Sequence, residues 1–171
     1  MIRNSIKDYL VQIKEKQNDM LKGKLYDVNI RLYNNNKKYN KIIKSIINLM
    51  SQILYMDFID YPTLKGISGA NIGIPFNIII IKIENSIKQM LNPIIIKRAG
   101  KSIKITSNCG SLLLSENITI PRSEIITVTY YDLNGNKKTE EFLGNNSGFT
   151  IQHEIEHNLG ITLLTNKNNN P

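Results

Sequence analysis

The stretch Phe149-Thr150-Ile151-Gln152-His153-Glu154-Ile155-Glu156-His157-Asn158-Leu159-Gly160 decides how the rest of the chain is read. Asn145-Asn146-Ser147 ahead of it supplies N-cap side chains and Gly160 supplies a stop, so the spacing predicts a helix over Phe149–Leu159. On such a helix His153 and His157, at i and i+4, stack their imidazoles on one face about 6 Å apart, close enough to share one divalent ion. Glu154 projects from the neighbouring face, toward a water on that ion. HExxH also arises by chance, and two surface histidines need bind nothing. Here the two are the only histidines of the chain, and they fall at ligand spacing around a glutamate.

A catalytic metal centre usually has three protein ligands and one open position for water. Cys109, the sole cysteine, is the natural third ligand: its thiolate completes a Cys-His-His set. Water in the fourth position would be acidified toward neutral pH and become the nucleophile, with Glu154 taking its proton and passing it to the leaving group. This chemistry suits hydrolysis of an amide or related acyl bond. The competing reading of a lone cysteine is a small buried hydrophobe. With one cysteine no intramolecular disulfide can form, which suits a reducing compartment.

Outward from the helix, Ile125–Leu133 and Lys137–Leu143 flank Asn134-Gly135 and read as a hairpin. Ile103–Ile105, Leu112–Leu114 and Ile118–Ile120 read as further short strands, and Phe76–Glu84 and Met90–Lys97 as two more, the latter broken by Asn92-Pro93. Pro62 and glycines 66, 69 and 73 mark a loop before them. From Lys38 to Phe58, Ile42, Ile43, Ile46, Ile47, Met50, Ile53 and Leu54 recur at three- and four-residue steps, one face of an amphipathic helix packed on a core. Residues 1–40 carry a weaker helical pattern (Ile2, Ile6, Tyr9, Leu10, Ile13) and a polar break at Asn34–Lys38 that reads as a surface loop. The expectation is α+β: an N-terminal helix, mostly antiparallel strands and a central HExxH helix. Residues 1–171 form one domain, with 1–40 a basic extension and 165–171 a disordered tail.

Hydrophobic content of 41% and charged content of 21% are ordinary for a globular protein; the bias toward Ile, Asn and Lys without Trp points to an A+T-rich genome. The formal charge is +8, densest in the first forty-five residues, yet Asp8, Glu15, Asp19 and Asp27 relieve it, unlike a nucleic-acid arm. A solvated basic face is the expectation over a specific nucleic-acid surface, with association to a ribosome or another acidic surface open. The longest apolar run, Ile78–Ile81, is far short of a membrane span, and no secretory or transit signal is legible, so cytosol is expected.

With Cys109 and the HExxH helix in hand, the chain resembles the peptide deformylase family, whose members remove the N-terminal formyl group from new polypeptides. The family's first motif, Gly-apolar-Ala-Ala-Pro-Gln-apolar-Gly, looks like Gly66-Ile67-Ser68-Gly69-Ala70-Asn71-Ile72-Gly73, with Asn71 in place of glutamine. Asn92-Pro93 matches the family's Asn-Pro. Gln152 through Gly160 matches Gln-His-Glu-x-Asp-His-Leu-x-Gly, with Glu156 for aspartate and Asn158-Leu159 for Leu-x. Ile120-Pro121-Arg122 and the Tyr131–Gly135 turn fit as well, and the resemblance runs from Ile42 to Leu164. The second motif, Glu-Gly-Cys-Leu-Ser, departs: the chain reads Ser107-Asn108-Cys109-Gly110-Ser111-Leu112. Gly-Cys is inverted and the glutamate is missing, which leaves Arg122 without the acidic partner the family gives it. Another alignment puts Ser111 at the ligand position; a neutral alcohol binds metal far more weakly than a thiolate, which favours Cys109.

The resemblance implies metal ligands Cys109, His153 and His157, with Glu154 as general acid/base. Asn71 and the backbone N–H of Gly110 would hold the oxyanion. Gly66 would pair its backbone with an extended substrate. Phe149, Thr150 and His153 would line the pocket for the substrate methionine, though Phe149 reads equally as core. Asn158 would expose a position that is normally core. The cofactor would be one divalent ion, Fe2+ in the cell, with Zn2+, Ni2+ or Co2+ as substitutes, and the partner a formyl-Met nascent peptide met at the ribosome by a monomer. Only fourteen residues follow His157, so the C-terminal helix of bacterial deformylases is not expected; the chain looks like short bacteriophage forms. Its place is then the cytoplasm, a host's if phage-encoded, or an organelle if eukaryotic. Two other readings stay open: a deformylase-fold binding module with impaired catalysis, motivated by motif two and Asn71, and a zincin-type endopeptidase, which leaves the glycine loop and Cys109 unexplained.

Overall fold

A computed structural model describes residues 24–60, 65–107 and 118–161. Helices α1 (Ile30–Asn35) and α2 (Lys37–Asp60) precede five strands: β1 (Gly66–Ser68), β2 (Ile78–Ile83), β3 (Ser86–Ser107), β4 (Ile118–Tyr131) and β5 (Lys137–Leu143). Helix α3 (Phe149–Asn158) follows. The strands form one antiparallel sheet in the order β1-β2-β3-β4-β5, each paired with its neighbour in sequence. The α+β expectation holds.

The run Ile78–Ile81 explains how the layers stack. All four isoleucines are fully buried, and because side chains alternate across a strand, Ile78 and Ile80 join one core and Ile79 and Ile81 another. The first core lies under α2, with Ile43, Ile47, Met50, Ile53 and Leu54. The second lies under α3, with Ile151 and Ile155. A strand covered on both faces needs no polar alternation.

Two of the three short expected strands merge into long ones. Asn92-Pro93 does not end β3: the register shifts between Leu91 and Ile94, and at this bulge a proline costs no ladder bond. Asn92 adopts φ 52 and exchanges two hydrogen bonds with Val28, donating from Nδ2 to its carbonyl (2.8 Å) and accepting at Oδ1 from its N–H (2.7 Å). Further shifts follow between Ile95 and Lys97 and between Ala99 and Ser102, so Ile103–Ile105 continues β3. Ile118–Ile120 and Ile125–Tyr131 are one strand, β4. Leu112–Leu114 lies outside the described residues. The hairpin between β4 and β5 is present; Asp132 Oδ1 accepts from the N–H of Asn134 and of Asn136, both at 2.9 Å, and these bonds hold its carboxyl below the usual range.

The polar break expected at Asn34–Lys38 shrinks to Asn36, where α1 ends and α2 begins. Nor is the whole of 1–40 an appendage: Leu25, Val28 and Tyr33 are buried, and Tyr33 donates to the Leu133 carbonyl at 2.7 Å. No helix among the described residues is long and apolar enough to cross a membrane.

Candidate active site

Helix α3 does not start on the expected caps. Residues Gly144–Gly148 already form a π-helical turn, and the Phe149 N–H donates to the Gly144 carbonyl. The incoming turn satisfies the helix's N–H groups with backbone, so Asn145, Asn146 and Ser147 are not its N-cap; that residue is Gly148, which has no side-chain cap bond. The C-terminus matches expectation: Gly160, φ 74, donates to the His157 carbonyl at 3.0 Å, and Ile161 donates to Glu156 at 2.9 Å.

Two close approaches seat this helix. A Cβ on Gly66 would lie 2.7 Å from Thr150 Cγ2 and 2.9 Å from Glu154 Cγ, so only glycine lets β1 touch α3 there. Gly66 therefore has a packing role, whatever its backbone offers a substrate. At Gly144 a Cβ would lie 2.3 Å from the Phe149 ring, which places that half-buried ring over the π turn.

His153 and His157 converge. Their Nε2 atoms are 3.0 Å apart and their rings meet edge to face with centroids 4.4 Å apart. Burial pushes the pKa of both down, His157 to about 4, and the neighbouring Arg122 guanidinium adds to the effect. Both are thus neutral at pH 7, the form that ligates metal. An ion about 2.0–2.1 Å from each nitrogen could be shared by atoms this close, so the pair fits a divalent metal. Among the described residues no third His, Cys, Asp or Glu joins them. Cys109, its alternative Ser111 and the expected oxyanion donor Gly110 lie outside those residues.

Glu154 is buried, and desolvation raises its carboxyl to about 8, against smaller opposing effects of a Ser68 hydrogen bond and of Arg122. Its Oε2 has no hydrogen-bond partner among the described residues. A carboxyl poised near neutrality, with one oxygen not committed to structure, is suited to receive and return a proton. Asn71 sits close by through Ser68, whose backbone N–H (2.6 Å) and hydroxyl both donate to Asn71 Oδ1.

Two expectations drawn from altered motif positions are corrected. Arg122 does have an acidic partner: its Nη1 is ion-paired with Glu156, with Arg122 almost wholly buried. The carboxylate comes from the HExxH helix. Asn158 is not exposed: it is 2% accessible and donates from Nδ2 to Asn77 Oδ1 (3.0 Å) and to the Ile78 carbonyl (3.1 Å). Its own carbonyl accepts from Leu25 N–H at 2.9 Å. A buried polar group is tolerable when so bonded, and here the bonds join α3 to β2 and the N-terminal segment.

Sequence reasoning passed over two residues. Gln152, fully buried, binds Ser123 through both N–H (3.0 Å) and carbonyl (2.9 Å) and accepts from Arg98 at 2.7 Å, which fixes α3 on β4. Ser68, where motif one has alanine, was available as a Ser-x-x-Asn pair at a turn.

Comparison with known proteins agrees with the motif reading and extends it at both ends. A sequence model of the family described as polypeptide deformylase matches residues 10–170. A peptide deformylase of Clostridium beijerinckii is 37% identical over 101 residues, 57% of this chain and 69% of that protein. One of Karelsulcia muelleri is 34% identical over 137 residues, 75% of this chain and 67% of that protein. In fold, the chain is similar to a probable peptide deformylase from Synechococcus phage S-SSM7 (TM-score 0.71, 20% identity, 86% of this chain and 93% of that one). It is equally similar to the Thermotoga maritima peptide deformylase (TM-score 0.71, 21% identity, 86% and 90%). A match that spans nearly the whole chain, on the fold those structures share, shows that it belongs to the peptide deformylase family.

Proposed function

We propose that this protein hydrolyses the N-formyl group of formyl-Met peptides at a divalent metal held by His153, His157 and Cys109. The observation that carries the reading is the convergence of the two Nε2 atoms beside a buried carboxyl raised to about 8. Fe2+ suits the site in the cell, and Zn2+, Ni2+ or Co2+ can substitute. When bound, the ion supplies Lewis acidity and lowers the pKa of water toward neutrality.

The chain's own groups do the rest. Glu154 accepts the proton lost by the attacking water and delivers it to the departing amine nitrogen, so that formate and a free N-terminus result. Negative charge on the former formyl oxygen is met by the Asn71 side-chain amide and the Gly110 N–H. Arg122 and Glu156 neutralise one another, so Arg122 shapes the field at both imidazoles without leaving a bare buried charge. β1 ends the sheet among the described residues, and its outer side would offer backbone groups to an extended peptide, with Phe149 flanking the first side chain. The working form is taken as a monomer that meets nascent chains in the cytoplasm.

Formate release from formyl-Met-Ala-Ser tests the reading. Wild type with one bound metal equivalent is expected to release formate, and Glu154→Ala to lose it with the metal retained. Metal content is expected to fall on Cys109→Ala and to persist on Ser111→Ala. A metal-loaded wild type without activity would instead favour a binding module, and cleavage of internal peptide bonds an endopeptidase.

A further inference from the structure

Ser68 carries a hydroxyl to which the reaction scheme gives no step, set between the Glu154 carboxyl and Asn71. It is fully buried on β1, at a place where motif one has alanine, and an alanine there would need no polar partner. Instead, its N–H and its hydroxyl both donate to Asn71 Oδ1. An asparagine amide has two ends of nearly equal shape, one accepting and one donating, and a flip exchanges them. Two donors on Oδ1 settle that choice: the oxygen faces Ser68, and the –NH2 end is turned away from it.

We propose that Ser68 is a positioning residue that locks the Asn71 amide in the donor orientation an oxyanion-binding group requires, so that Ser and Asn together replace the family's Ala and Gln. The catalytic consequence rests on the deformylase reading; the lock itself does not. The same two bonds would also suit a cap for the 3-10 turn Ala70–Ile72. A cap alone changes stability and leaves turnover intact, whereas a lock changes turnover and depends on which amide it holds.

The test uses zinc-loaded wild type, Ser68→Ala, Asn71→Gln and the double variant, with formate release and melting temperature measured for each. Ser68→Ala is expected to lower kcat about tenfold with KM little changed, a fraction of the loss from deleting an oxyanion donor outright. Asn71→Gln alone is also expected to fall, because the longer amide meets Ser68. The double variant, which restores the Ala and Gln pair, is expected to return to within about threefold of wild type, since residues that act as a unit are not additive. Unchanged kcat in Ser68→Ala, or a double variant at the product of the two single losses, overturns the proposal. Should Ser68→Ala not fold, Ser68→Cys keeps the shape with a weaker donor and is expected to give a smaller loss of the same kind; no loss overturns the lock. If even wild type releases no formate, the deformylase reading fails, and 15N spectra of the zinc-loaded protein decide the lock separately. The Asn71 side-chain NH2 pair, assigned by its disappearance in Asn71→Gln, is then expected to lie away from random-coil shifts in wild type and to move toward them in Ser68→Ala. Shifts that do not move overturn the lock.

Discussion

The two helices that cover the sheet are held by different physics. Helix α2 meets its face with Ile43, Ile47, Met50, Ile53 and Leu54, all buried and all apolar. Helix α3 buries only Ile151 and Ile155 as hydrophobes, alongside Gln152, Glu154, His157 and Asn158. Burying a polar group costs free energy unless it is bonded, so the second helix needs partners for most of what it hides. Gln152 has Ser123 and Arg98, and Asn158 has Asn77 and Ile78. Glu154 Oε2 has none among the described residues. The difference teaches where stability has been given up: α2 is a wall, and α3 is a fixed mount for groups that stay chemically available.

Four measurements would break or sharpen that contrast. The largest effect is expected at Glu154. Glu154→Gln should reduce formate release by about 10²–10⁴-fold, the range of general acid–base catalysis, while urea unfolding shows no loss of stability. A stability loss as large as the activity loss would put Glu154 with the structural polar groups of α3. Next is Arg122→Met, which takes the arginine from the part-buried Glu156; unfolding should cost less than in wild type, by up to about 3 kcal/mol. Adding Glu156→Met should recover most of that, because a pair replaced by apolar groups owes no desolvation. Met50→Ala, on the other wall, should lose about 2–5 kcal/mol of stability through cavity formation, with kcat of the folded enzyme unchanged. A changed kcat would mean that α2 does more than pack.

The smallest effect is in pH. The folded Glu154 binds its proton more tightly than the unfolded chain does, so its contribution is present at low pH and lost as pH rises toward about 8. The histidines act in the opposite sense: their lowered values make stability rise from about 4 to the ordinary histidine range and then level off. The melting temperature of metal-free protein should therefore decline between pH 6.5 and 8, and the decline should vanish in Glu154→Gln. A decline that persists in the variant would assign it to other groups.

How far the sequence carries differs along the same contrast. The α2 face is legible because apolar burial leaves a period: every buried residue of that stripe recurs at three or four. The hairpin at Asn134-Gly135 and the stop at Gly160 are legible because each needs a residue type. The strand boundaries are not, since a bulge at Asn92-Pro93 and an end look alike until the partner strand is placed. The helix start at Gly144 is hidden for a similar reason: Asn145-Asn146-Ser147 advertises a cap, and a π turn makes it redundant.

The amino-acid sequence alone carries the histidine pair and its glutamate, fixed by spacing within ten residues of one helix, and the family, fixed by the order of motifs from Gly66 to Gly160. Only the folded chain shows who compensates for the departures that fall among the described residues. Glu156 serves Arg122 across thirty-four positions, and Asn158 finds Asn77 across eighty-one. Ser68 reaches Asn71 across only three, a Ser-x-x-Asn spacing that the family's alanine at that position does not suggest. A missing partner can be read from a chain; its replacement comes from whatever the folded backbone brings within hydrogen-bonding distance, and that is set by packing.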